Sequence, residues 1–125
     1  YENWSLVAAY DDLMRQHGAA IPTTLLALHD GDVVGSVSLL QDDHLIGYEH
    51  LTPWLASLYV RSDWRGRGVG GELVVAAVEH ARTLGITRLY LFTPAQREFY
   101  VDKGFRDFAH AVAAGAPVTV MVCDL

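Results

Sequence analysis

The residues of the chain best suited to chemistry are Arg65-Gly66-Arg67-Gly68-Val69-Gly70-Gly71. Glycines let a backbone approach a ligand closely, and free N–H groups at the start of a helix point at anions with help from the helix dipole. Two arginines in the same turn can add charge-assisted hydrogen bonds to phosphate oxygens. The turn therefore suits a phosphate-bearing ligand; the plainer alternative is a glycine-rich connector whose arginines point into water. Gly66, Gly68 and Gly71 also spell G-x-G-x-x-G, which invites a dinucleotide site. Such a site fits poorly. The whole segment Arg61 to Arg65 separates the preceding strand from the first glycine, and the next strand ends Leu91-Phe92-Thr93-Pro94 with no acidic residue to hold a ribose. No Gly-Lys-Ser or Gly-Lys-Thr follows the turn, which removes a phosphate-loop NTPase.

Other chemistry is sparse. The single cysteine, Cys123, lies in the apolar run Val120-Met121-Val122-Cys123 and is expected to be packed rather than nucleophilic. It cannot form an internal disulfide, which suits a reducing compartment. The six histidines show no metal-ligand spacing, so no metal is expected. Nine Lys and Arg against fifteen Asp and Glu give a net charge of -6. That balance is a poor match to nucleic acid or an anionic membrane, so neither is expected as a partner, and an anionic ligand needs a local device working against the overall field.

These residues need elements to hold them. At 125 residues, 51% hydrophobic and 19% charged, the chain can bury the core of one domain and not of two. Leu6, Ala9, Tyr10, Leu13, Met14 and His17 recur at helical spacing from about Ser5 and predict an amphipathic helix stopped by Gly18. Thr24 to His29 and the alternating Val33, Gly35, Val37 and Leu39 predict a hairpin about Asp30-Gly31. Gln41 to Thr52 is polar and ends at Pro53, and reads as a loop flanking a short strand. Leu55 to Val60 is a buried strand. Val69, Leu73, Ala76, Ala77, Ala81 and Leu84 line one face of a helix closed by Gly85, with Ile86 folding back. Arg88 to Phe92 completes a strand, helix, strand crossover, which implies parallel neighbours. A helix over Pro94 to Lys103, a strand over Phe105 to Phe108, a small-residue loop over Ala109 to Pro117 and a last strand over Val118 to Asp124 finish a mixed α and β fold. The start, Tyr1-Glu2-Asn3-Trp4, lacks signal-peptide regions, and no apolar run reaches bilayer length, so the cytoplasm is the expected compartment. Since the chain begins with Tyr1 rather than Met, residues upstream, a first strand among them, can be missing from this single domain.

Taken with its surroundings, Arg65-Gly66-Arg67-Gly68-Val69-Gly70 fits Q/R-x-x-G-x-G/A, an acyl-CoA pyrophosphate loop, and Leu58-Tyr59-Val60 precedes it at the expected distance. Phe99-Tyr100-Val101-Asp102-Lys103-Gly104-Phe105 looks like an F-Y-x-x-x-G-F box after the next strand. Together, from about Leu25 to the C-terminus, they resemble the GNAT superfamily of N-acetyltransferases.

The resemblance implies an acyl-CoA N-acyltransferase fold, a central mixed sheet with a splayed central strand pair and flanking helices. It also implies acetyl-CoA as cosubstrate and direct attack by an amine in a ternary complex. Leu58, Tyr59 and Val60 would run beside pantetheine, with the Leu58 N–H stabilising the oxyanion. Backbone amides of Arg65, Gly66, Arg67, Gly68, Val69, Gly70 and Gly71 would bind the pyrophosphate. Tyr100 would protonate the leaving thiolate, since a phenol near pKa 10 can donate to a thiolate whose acid lies near roughly 8.5. Many members carry Asn at the start of the helix after the second parallel strand; here Thr93 and Gln96 are the candidate substitutes. An ammonium acceptor must lose a proton before attack, and Glu49, then His50, are the candidate bases, each equally readable as an incidental loop side chain. Asp42, Asp43 and Glu49 would give a cationic acceptor a negative rim. A monomer and a homodimer both suit this plan. The alternative is a non-catalytic acyl-CoA-binding sensor, against which an intact Tyr100 weighs.

Overall fold

The computed structural model describes the backbone of residues 4–10 and the whole of residues 21–125. Seven strands form one sheet in the order β1-β2-β3-β4-β5-β7-β6. They are β1 (Trp4–Tyr10), β2 (Thr23–His29), β3 (Asp32–Leu40), β4 (Trp54–Val60), β5 (Arg88–Thr93), β6 (Arg106–Ala113) and β7 (Ala116–Asp124). A 3-10 turn over Ser62–Trp64 precedes helix α1 (Val69–Thr83), and the short helix α2 (Arg97–Asp102) follows β5.

The amphipathic helix expected from Ser5 is corrected over its first half. Trp4–Tyr10 is a strand paired antiparallel with β2 from Trp4↔His29 to Tyr10↔Thr23. Its Leu6, Ala9 and Tyr10 spacing admits a helix, but the pairing offered by β2 decides, since local propensity is a weak prior against a ready sheet edge. The remainder, Asp11 to Gly18, lies outside the described residues. The Asp30-Gly31 hairpin forms as expected, both residues having positive φ, 50° and 83°, as a two-residue primed turn requires.

The loop between β3 and β4 holds no strand of its own, which corrects a second expectation. Leu45 and Leu51 hold the loop instead, burying themselves with Trp54, Tyr90, Val118, Val120 and Val122 on one face of the sheet. The Trp54 Nε1–H donates to the Leu51 carbonyl at 2.7 Å, satisfying the one polar atom the indole brings inside. The expected loop over Ala109 to Pro117 is likewise mostly strand. It shrinks to the turn Ala114-Gly115, and β6 and β7 pair from Arg106↔Val122 to Ala113↔Ala116 with a register shift between Asp107 and Ala109. Alanine-rich sequence has little strand preference of its own, so cross-strand pairing supplies it.

On the other face α1 buries Val69, Leu73, Val74, Ala77, Val78 and Ala81. Val74 and Val78 extend the expected face, against which Ala76 packs half-buried. The approach is close at β3: a Cβ on Gly35 would stand 3.0 Å from Leu73 Cδ1 and 3.0 Å from the Tyr59 carbonyl oxygen. The helix ends as expected, with Ile86 N–H donating to the Ala81 carbonyl and Gly85 N–H to that of Arg82, the paired bonds of a Schellman stop. The short helix begins at Arg97 rather than Pro94, because the Thr93 Oγ1 accepts the Gln96 N–H at 3.0 Å and holds the preceding turn.

One feature of the sheet positions the candidate site. β4 and β5 run parallel yet share a single paired position, Trp54↔Tyr90. Beyond it they part, leaving a wedge in the middle of the sheet.

Candidate functional site

The β4 side of the wedge is shaped by a bulge. β3 and β4 pair in register at Ser36↔Tyr59 and again at Ser38↔Ala56, with a shift between. Ser57 absorbs the extra residue with φ 58°, in the left-handed region. After the bulge the Arg61 N–H donates to the Val34 carbonyl at 2.8 Å, toward β3. Backbone groups alternate sides along a strand, so the amides of Leu58 and Val60 face the opposite way, into the wedge. The Val60 carbonyl is turned the same way and accepts from Arg65 Nε at 3.0 Å.

That contact ties the glycine-rich turn to the end of β4. Gly66 and Gly68 hold φ 76° and 84°, values a side chain would strain, and Gly68 is the N-cap of α1. Trp64 anchors the turn from below at 5% exposure. The Arg67 guanidinium lies 4.5 Å from the centre of its ring, a cation–π contact. Lys103 closes in from behind α2, its Nζ 3.1 Å from where a Cβ on Gly71 would stand.

A cleft of about 520 Å³ lies over the turn. Its walls are Leu58, Tyr59 and Val60 of β4, Trp64 and Arg65, Gly66 and the run Gly68 to Gly71, and Gln96, Phe99 and Tyr100. A main-chain cradle with open glycines, beside a strand whose amides lack a β5 partner, fits a long ligand carrying a diphosphate. A second cavity of about 350 Å³ continues into the wedge on the side of the β3–β4 loop. It is lined by Asp43, by residues 55–58 of β4, by Leu91 to Pro94 and by Tyr100. Among the described residues, Leu58 and Tyr100 line both.

Tyr100 is 8% exposed, and burial pushes its phenol above the ordinary value of 10.0, so it remains a proton donor. Burial likewise holds the Asp43 carboxyl above the ordinary 3.8, His44 and Asp42 acting in opposite senses as smaller influences. Cys123 is packed at 6% exposure, and burial pushes its thiol up, which suits a core residue. Among the described residues no group of three or more His, Cys, Asp or Glu could hold a metal ion. No helix among them is long and apolar enough to cross a membrane.

The residues singled out in the sequence are not all gathered here. Leu58 to Val60, the glycine turn, Gln96 and Tyr100 line the first cleft, whereas Arg67 borders it stacked on Trp64. Thr93 lines the second cavity with its hydroxyl already committed to the Gln96 amide. Glu49 lines neither: both carboxylate oxygens accept the Gly47 N–H, at 2.8 and 3.0 Å, and the residue is exposed. His50 is exposed beside Tyr48, with ring centres 6.4 Å apart. Ser57 and Lys103 escape sequence reasoning because their positions depend on strand register and helix packing. Trp64 did leave a signal, as the one large apolar residue in the polar stretch Arg61 to Arg65.

A model of the acetyltransferase (GNAT) family matches residues 2–105. The curated aminoalkylphosphonate N-acetyltransferase of Salmonella typhimurium is 34% identical over 88 residues, covering 65% of this chain and 54% of that protein. The chain thus spans about half the length of that relative. Among solved structures, an acetyl-CoA-bound GNAT acetyltransferase from Elizabethkingia anophelis superposes with TM-score 0.73 at 14% identity, covering 100% of both chains. A Bacillus subtilis acetyltransferase in complex with CoA does so with TM-score 0.72 at 16% identity, over 98% of this chain and 99% of that one.

Proposed function

The chain belongs to the acetyltransferase (GNAT) family, and from that premise we propose that it is an acetyl-CoA-dependent N-acetyltransferase that passes an acetyl group directly to a primary amine. The observation that carries this is the meeting of two cavities at Leu58 and Tyr100, one beside a phosphate cradle and one open to a second molecule.

In this reading the backbone amides from Arg65 to Gly71 and the positive end of α1 hold the pyrophosphate, with Arg65 and Arg67 as the local cations that an acidic molecule needs. Tyr59 and Val60 guide the pantetheine arm along β4, and Gln96 borders it from α2. The Leu58 N–H, turned into the wedge by the bulge, donates to the thioester carbonyl and strengthens its hold as negative charge develops there. The acceptor arrives through the second cavity. Neither Glu49 nor His50 lines it, so a base role for either runs through solvent. Attack by the neutral amine forms the C–N bond; collapse breaks the C–S bond, and Tyr100 gives its proton to the departing sulfur and recovers one from the nitrogen. An ammonium acceptor and a thioester thus become an amide, a thiol and one released proton.

A non-catalytic acyl-CoA sensor would need only the first cleft. The test follows thiol release from acetyl-CoA across a panel of primary amines beside a titration of acetyl-CoA binding. Binding with amine-dependent release is expected. Binding without release on any amine would favour the sensor.

A further inference from the structure

The second cavity contains a charge that the structure leaves unanswered. Asp42, Asp63, Asp107 and Asp124 each accept a hydrogen bond from a neighbour. Among the described residues none donates one to Asp43, although it lines the cavity and is only partly exposed. Its near neighbours on the loop are engaged with each other: His44 donates its backbone N–H to Asp42 Oδ1 at 2.9 Å, and its Nδ1 stands 3.3 Å from Asp42 Oδ2. Opposite Asp43 the walls are the apolar Leu55, Leu91, Phe92 and Pro94, with the hydroxyls of Ser57 and Tyr100. The loop that carries Asp43 is fixed by Leu45 and Leu51 in the core, which holds Asp43 in the lining of the cavity.

We propose that Asp43 sets the acceptor class: the cavity takes a small primary amine with a cationic head and an apolar body, and turns away amines that carry a carboxylate or phosphonate beside the nitrogen. This rests on the transferase reading above. A half-buried carboxylate without a partner is poorly solvated, and an entering ammonium supplies both charge and donors. An acceptor with its own anion would set like charges together between apolar walls, a repulsion that discriminates as strongly as the attraction does. At about 350 Å³ the cavity lies near the small end of ligand pockets, which limits the body to a few carbons or one ring. The burial that raises the Asp43 carboxyl is consistent with a site completed by a cation.

The experiment compares phenethylamine with aminomethylphosphonate as acceptors, in thiol release and in direct binding, for the unsubstituted protein and for Asp43→Asn. Phenethylamine is the expected preference. The isosteric change should lower its kcat/KM by roughly 10- to 100-fold, the worth of a charge-assisted hydrogen bond, mostly through KM. It should leave acetyl-CoA affinity alone, hold or raise the melting temperature, since a poorly solvated charge is removed, and narrow the preference over aminomethylphosphonate. Asp43→Glu should restore part of the loss. A preference for aminomethylphosphonate, or an acceptor ratio unmoved by Asp43→Asn, would overturn the assignment. Phenethylamine binding that depends on Asp43 without any thiol release would overturn the transferase reading and uphold this one, whereas absence of binding would overturn this one whatever acetyl-CoA does.

Discussion

Tyr100 sits among aromatic edges, its ring centre 5.0 Å from that of Phe99 and 6.0 Å from that of Phe105. Burial raises its phenol, so the folded protein holds this proton at pH values where the unfolded chain has begun to lose it. Stability from this group is therefore intact below the ordinary 10.0 and falls as pH rises through the folded value, and kcat should show no alkaline limb from Tyr100 below that pH. Removing only the hydroxyl with Tyr100→Phe should lower kcat by about 100-fold or more at nearly constant acetyl-CoA affinity, as measured by thiol release and calorimetry. Unchanged turnover would strip Tyr100 of its role. Gly68→Asp places a carboxylate where the pyrophosphate is to lie, at a cost of roughly 4 kcal/mol with surface-like screening, several hundred-fold in Kd. The melting curve should stay cooperative while acetyl-CoA binding is lost; retained affinity would count against the turn. The glycine turn and Tyr100 were legible as lining of the candidate cleft because residue type and spacing single them out. Asp43 was legible only as one acid among several, since nothing in Asp42-Asp43-His44 says which carboxylate turns inward.

The bulge of β4 has no such signature. Ser57 holds φ 58° because β3 pairs on both sides of it, and a β-branched side chain resists that backbone. Ser57→Val should cost about 1–2 kcal/mol and lower kcat out of proportion, because flattening the bulge turns the Leu58 amide away from the wedge. Denaturant melts and steady-state kinetics would separate the two effects; full activity with normal stability would show that the bulge does not aim the amide. Gly35→Ala pushes against Leu73 and the Tyr59 carbonyl, and should cost about 1–3 kcal/mol by forcing α1 off the sheet. Helix α1 and the Asp30-Gly31 hairpin were readable because each satisfies its own local rules of period, stop and turn. β1 and the far half of β6 were not, since Leu6, Ala9 and Tyr10 suit either element and Ala109, Ala111 and Ala113 favour none. Partners distant in sequence decided those elements.

Across the whole molecule, the sheet is two ribbons, β1 to β4 and β5 with β7 and β6, joined edge to edge by the Trp54↔Tyr90 position and braced by α1. A ligand seated along β4 adds hydrogen bonds where the ribbons part. Acetyl-CoA at 100 times its Kd should therefore raise stability by about 2.7 kcal/mol, and amide hydrogen exchange should slow most at Leu58 and Val60. A rise in melting temperature without protection at those two amides would put the ligand elsewhere. Two chambers that share Leu58 and Tyr100 among the described residues also bear on traffic. On the transferase reading, spent thiol would leave by the first cleft and finished amide by the second. Free CoA should then compete with acetyl-CoA and not with the amine, whereas the N-acetylated product, whose acetyl group would occupy the same point as that of acetyl-CoA, should compete with both.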